Sequence, residues 1–130
     1  MSLSKRLESE KAWYVLHTYS GYEDKIKQNL ESRMTSMGME NNIFEILVPQ
    51  HAVYEEDKDG ELVEAQKKTF PGYVLVEMIM SDEAWFVVRN TPGVTGFVGS
   101  HGAGSKPSPL LPEEIENVFR SMGMKPKKVD

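Results

Sequence analysis

Apolar residues recur along this chain with two different periods, and the switches between them mark its elements. Trp13-Tyr14-Val15-Leu16-His17-Thr18 is aromatic and β-branched and reads as a first strand. Ser20-Gly21-Tyr22-Glu23 has the S-x-x-E spacing of a capping box, which predicts that a helix starts there. Tyr22, Ile26, Leu30, Met34 and Met37 then recur every three or four residues as one apolar face, and Gly38 supplies the left-handed stop. Lys25, Lys27, Gln28 and Glu31 fall off that stripe.

Ile43 to Pro49 reads as a buried strand whose alternation runs on to Tyr54, and Asp59-Gly60 is a hairpin turn signal with a return strand from Glu61 to Thr69. The tip is highly charged, an arm rather than core. Tyr73 to Met80 is the most apolar strand and is expected at the centre of a sheet. Ser81-Asp82-Glu83 caps a short helix reaching Arg89. Asn90-Thr91-Pro92-Gly93 ends it, because the residue before a proline is pushed out of the helical region. Val94 to Val98 is a last strand, and Pro112 opens a final helix with Ile115, Val118, Phe119 and Met122 as its stripe. The expected fold class is α+β: a mainly antiparallel four-stranded sheet with flanking helices in an RNA-recognition or ferredoxin-like layout, plus a protruding charged β-hairpin.

Composition narrows the chemistry. A chain of 130 residues suits one domain, and the absence of cysteine excludes disulfides, thiolate zinc sites and a cysteine nucleophile. No apolar run approaches the ~20 residues that cross a bilayer, and the N-terminal MSLSKRLESEK is charged throughout, so a soluble cytoplasmic protein is expected. Twenty acidic against fifteen basic residues give a net charge of −5, which argues against affinity for bulk duplex nucleic acid and leaves only local contacts.

Gly99 to Ser108, GSHGAGSKPS, superficially resembles a phosphate-binding loop. The Walker pattern G-x-x-x-x-G-K-S/T places its lysine directly after the second glycine, but Ser105 stands there, Lys106 comes one residue late and Pro107 follows. A surface loop fits better. His17, His51 and His101 lack metal-ligand pairing, and no nucleophile elbow is present. No catalytic residue, metal or cofactor is expected, and the protein is read as a non-enzyme. Pro71-Gly72-Tyr73-Val74-Leu75-Val76-Glu77-Met78 echoes an RNA-recognition signature, but Leu75 replaces the central aromatic and Pro71 the basic residue. A stand-alone single-stranded RNA-binding module therefore remains the alternative.

Three blocks carry a resemblance. WYVLHTYSGYE from Trp13, FPGYVLV from Phe70 and VRNTPGVTGFVG from Val88 are similar, in order, to the N-terminal domain of the bacterial NusG transcription factors. It covers about residues 12–123. Residues 1–11 are expected to be a disordered or appended N-terminus, and residues 124–130 the start of a linker to an absent KOW domain, the part that in the family binds ribosomal protein or Rho. Those contacts are not assigned to this chain. The resemblance implies a non-catalytic transcription elongation, pausing and termination/antitermination factor that binds RNA polymerase across its main cleft, on the clamp helices of the largest subunit. For that surface it implies Tyr19, Phe70, Pro71 and Tyr73, because aromatics at strand ends make strong interface anchors. For the non-template DNA strand in the transcription bubble it implies Arg89, Asn90 and Thr91, an Asn-Thr pair similar to that of members that promote pausing at T-rich stretches.

Overall fold

The computed structural model describes residues 11–99 and 106–122. The expected N-terminal segment up to residue 10, His101 with the middle of the glycine-rich stretch, Gly123 and the expected linker at 124–130 lie outside the described residues. In chain order the elements are β1 (Lys11–Thr18), α1 (Glu23–Ser36), β2 (Ile43–Leu47), β3 (Gln50–Glu56), β4 (Leu62–Lys68), β5 (Tyr73–Ile79), α2 (Asp82–Arg89), β6 (Val94–Phe97) and α3 (Pro112–Ser121).

Four strands form one sheet in the order β2-β5-β1-β6, antiparallel at every pairing. The apolar β5 is central, as its sequence predicts, because a strand flanked by two partners has both edges paired and both faces available for packing. The connections β1-α1-β2 and β5-α2-β6 each pass over one intervening strand, which is the split ferredoxin-like arrangement. Strands β3 and β4 pair only with each other, in register from Gln50↔Lys68 to Glu56↔Leu62. They form the charged hairpin, closed by Asp57, whose Oδ1 accepts from the backbone N–H groups of Asp59 and Glu61 at 2.9 Å each.

One sheet face carries the main core. Leu16 of β1 and Val74, Val76 and Met78 of β5 meet Ile26 and Leu30 of α1 and Ala84 and Val88 of α2. Helix α2 starts as expected, with Ser81 Oγ accepting from the Ala84 N–H at 3.1 Å. The opposite face is covered only in part by α3, none of whose residues is fully buried. Phe119 meets Trp13 edge to face with centroids 5.9 Å apart, and the Leu110 N–H donates to the Trp13 carbonyl at 2.8 Å.

Three expectations need correction. No capping box starts α1: the helix begins at Glu23, the residue before it makes no side-chain cap, and the Glu23 carboxylate is engaged elsewhere. Tyr22 and Met37 are exposed rather than part of the apolar stripe, because they lie just outside the two ends of the helix whose interior buries Ile26 and Leu30. Lys11, left outside the fold by its charged neighbours, opens β1 opposite Ile79 and lays its ammonium 4.9 Å from the Phe44 ring centroid.

Candidate functional site

The sheet face under α3 is where alternation and incomplete cover create a site. Val15 and Leu75 are cross-strand neighbours on that face, and His17 pairs likewise with Tyr73. Leu75 is buried and Val15 half-buried there, whereas His17 and Tyr73, toward the start of β5, are exposed. A groove of about 400 Å³ opens there, with Val15 and Leu75 at its base, Phe70 and Tyr73 on one side and Leu110 and Val118 on the other; Glu114 and Asn117 supply a polar rim. Phe70 is 39% and Tyr73 36% exposed, and Pro71 between them is exposed as well. Aromatic and aliphatic walls with a sparse polar rim suit the apolar face of a partner helix.

The turn that presents these rings is tightly specified. The Tyr73 N–H donates to the Phe70 carbonyl at 3.1 Å, and Gly72 between them has φ +86°, a left-handed conformation that side chains resist. The Gly72 carbonyl accepts from the Thr18 N–H at 2.8 Å. From the other side, the Gly72 N–H donates to Glu23 Oε2 at 2.9 Å, while Glu23 Oε1 accepts from the Gly21 N–H at 2.7 Å. Burial pushes the Glu23 carboxyl up, but these backbone donors and the charge of Lys68 outweigh it and leave it below its ordinary value.

Tyr19, expected beside Phe70 and Tyr73, does not line this groove. It stands 64% exposed, in edge-to-face contact with Tyr22 at 6.4 Å. Both tyrosines line a second groove of about 770 Å³ together with Ser20, Lys25, Ile26, Asn29, Pro92 and Gly93. The proline–glycine turn sits directly on α1: a Cβ at Gly93 would stand 2.9 Å from Ile26 Cγ1, and φ there is +95°. The second groove has a lysine and no carboxylate in its lining, in a chain whose net charge is −5. Tyr22, Lys25 and Asn29 were absent from the sequence-based site. Their spacing of three and four residues already places Tyr22, Lys25 and Asn29 side by side at the start of α1, and the folded turn adds Pro92 and Gly93 opposite them.

The Arg89-Asn90-Thr91 segment divides in the structure. Asn90 is exposed, and its Nδ2 donates to the Phe86 carbonyl at 2.8 Å, so the amide caps the end of the helix. Thr91 is only 2% exposed and its hydroxyl donates to the Val87 carbonyl at 2.9 Å, which takes it off the presented surface. Arg89 is half-buried, its guanidinium running along Gly96. The backbone peptide that follows Thr91 then delivers Pro92 and Gly93 to the second groove.

Lys106 Nζ pairs with Asp82 at 2.6 Å, on the flank of α2, and α3 begins only at Pro112. That geometry has no helix N-terminus directly after the lysine to hold a phosphate. His17 and His51 are engaged by Thr95 and Thr69 hydroxyls at 2.7 and 3.0 Å, and among the described residues no three metal-ligating side chains cluster. The RNA-recognition echo is also modified: on the face that would stack bases, Trp13 is covered by Phe119, leaving Tyr73 beside His17.

Among the described residues, no helix is long and apolar enough to cross a membrane. A family model described as transcription termination factor NusG matches residues 11–119. The transcription termination/antitermination protein NusG of Staphylococcus carnosus is 59% identical over 120 residues, spanning 92% of this chain and 65% of that protein. Its counterpart from Staphylococcus aureus is 60% identical over the same length and shares. The chain thus spans about two-thirds, 65%, of the length of these curated relatives. The solved structure of Thermotoga maritima NusG superimposes with a TM-score of 0.71 at 36% identity, covering 93% of this chain and 62% of that one. The N-terminal domain of NusG from Methanocaldococcus jannaschii shares the fold, with a TM-score of 0.52 at 22% identity, over 82% of this chain and 98% of that one.

Proposed function

This chain belongs to the NusG family, and on that premise we propose that it is a non-catalytic transcription elongation, pausing and termination/antitermination factor that acts by binding RNA polymerase. The cytoplasm is the compartment that goes with this reading. The observation that carries it is the groove under α3, an aromatic and aliphatic trough bordered by Phe70 and Tyr73 with Pro71 at its lip. Its occupant in this proposal is an apolar helix face on the clamp of the largest polymerase subunit. Held there, the domain bridges the main cleft and favours the closed, elongating population over paused or backtracked states by binding it more tightly.

The second groove supports the companion contact with the non-template strand. Tyr19 and Tyr22 offer rings on which an unpaired base stacks, Lys25 offers a phosphate partner and Asn29 an amide for a base edge, with the exposed Asn90 two residues before Pro92 of the lining. In this proposal Arg89 and Asn90 contribute directly, and Thr91 acts by fixing the turn that carries Pro92. Because Tyr19 lines this groove rather than the first, the proposal gives it to the nucleic-acid contact instead of the polymerase contact.

Affinity for core RNA polymerase tests the first part: Phe70→Ala is expected to weaken binding by about tenfold or more, the scale of a lost aromatic anchor. Wild-type binding unchanged by Phe70→Ala and Tyr73→Ala together would remove the groove from the mechanism. On templates with a T-rich non-template strand, Asn90→Ala at saturating concentration is expected to shorten pauses without releasing polymerase. An unchanged pause profile would reject the DNA contact.

A further inference from the structure

We propose that Glu23 is a positioning residue for both grooves at once: its carboxylate ties the Tyr19–Tyr22 turn to the Phe70–Tyr73 turn and so fixes the two aromatic surfaces relative to each other. The inference rests on the assignment of the two grooves to polymerase and to an unpaired DNA strand.

Glu23 is an oddity by composition alone, a carboxylate 1% exposed in a domain whose other acids are on or near the surface. It belongs to no catalytic or metal-ligating cluster among the described residues. Each of its oxygens is committed, Oε1 to the Gly21 N–H at 2.7 Å and Oε2 to the Gly72 N–H at 2.9 Å. These two amides are far apart in sequence, and each is the glycine at the centre of an aromatic-bearing turn. The carboxylate also opens α1, where the aligned helix peptides favour negative charge. The charged groups around it are Lys68, reaching in from β4, and Asp24, which holds the Lys68 ammonium at 2.7 Å.

The geometry asks for glutamate specifically. A glutamine has one acceptor oxygen and an NH₂ group, so one glycine N–H would face a donor and lose its partner inside the protein. An aspartate is one methylene shorter and does not reach both turns from the same backbone position. Releasing either turn leaves the core intact, since Glu23 is not among the apolar residues that pack it, while freeing Phe70 and Tyr73 or Tyr19 and Tyr22 to leave their groove walls. The two surfaces then fold correctly but no longer present a fixed shape to a partner that must meet both.

Two measurements test this. In ¹H–¹⁵N spectra of the free chain, lowering the pH is expected to shift the Gly21 and Gly72 amides together, with one shared midpoint below 4.5, the ordinary glutamate value. In polymerase binding, Glu23→Gln is expected to lose about tenfold in affinity, the scale of one charge-assisted hydrogen bond, relative to Ile46→Val, a core change on β2 away from both grooves. Should Glu23→Gln not fold, Glu23→Asp replaces it, with faster hydrogen exchange at Gly21 or Gly72 as the expected result. Separate midpoints for the two amides overturn the link, and equal affinities of the Glu23 variant and Ile46→Val overturn the positioning role. Failure of the wild-type chain itself to bind polymerase would instead discard the groove assignment, while the amide titration, read on the free chain, still reports the link.

Discussion

At the scale of single residues, backbone hydrogen bonds made by side chains decide what is presented and what is withdrawn. Glu23 keeps a folded-state pKa below 4.5, so its contribution to stability is fully present above that value and is lost as the pH falls through the lower folded value. Urea unfolding at pH 7 and near pH 4 is expected to show wild type losing stability that Glu23→Gln never had, with a gap at pH 7 of about 2 kcal/mol. Coinciding curves at pH 7 would contradict it. Gly93 is constrained on two counts, a left-handed φ of +95° and Ile26 at 2.9 Å from any added Cβ. Gly93→Ala is therefore expected to cost about 1–3 kcal/mol in chemical denaturation. Thr91 shows why a motif letter is not a contact: the residue type fits base recognition, yet its hydroxyl is spent on Val87. Nothing local in the sequence distinguishes an exposed threonine after a helix from a buried one.

Among the elements, the sheet, α1 and α2 share one core, whereas the β3–β4 hairpin pairs only with itself and α3 leans on the far face through half-buried contacts. A two-stranded ribbon alone is marginal in water. Hydrogen exchange is expected to be fast from Ala52 to Gln66 and slow in β1 and β5, and equal protection would refute the separation. Phe119→Ala removes the edge-to-face contact with Trp13 and is expected to cost about 1–2 kcal/mol in equilibrium unfolding, below a fully buried phenylalanine. The strand and helix order was legible from periodicity because each element carries its own pattern. The true start of α1 was not, because S-x-x-E describes a local closure and the Glu23 carboxylate is instead satisfied by Gly72, which only the folded chain brings near.

For the whole molecule, charge is distributed rather than uniform. The hairpin from Glu55 to Glu64 holds six carboxylates against Lys58 alone, as much net negative charge as the entire chain, −5, so the remainder is balanced. The second groove sits in that balanced part, and its lining holds Lys25 and no carboxylate, the charge the proposed contact with a nucleic-acid strand needs. The free chain is accordingly expected to bind duplex DNA no more tightly than about 100 µM at physiological salt. Micromolar binding to single-stranded RNA without polymerase would favour the stand-alone RNA-binding reading.

The sequence by itself determined the α+β class, the central place of β5, the charged hairpin and the family, since these depend on periodicity, turn chemistry and three long blocks of residues. Tertiary structure alone decided how those residues are shared between surfaces. It left Phe70 and Tyr73 at the mouth of one groove, carried Tyr19 to another beside Tyr22 and Pro92, buried Thr91, and joined the two turns through Glu23. The physical reason is that exposure and long-range hydrogen bonding are properties of which elements cover one another, and no residue's neighbours along the chain encode them.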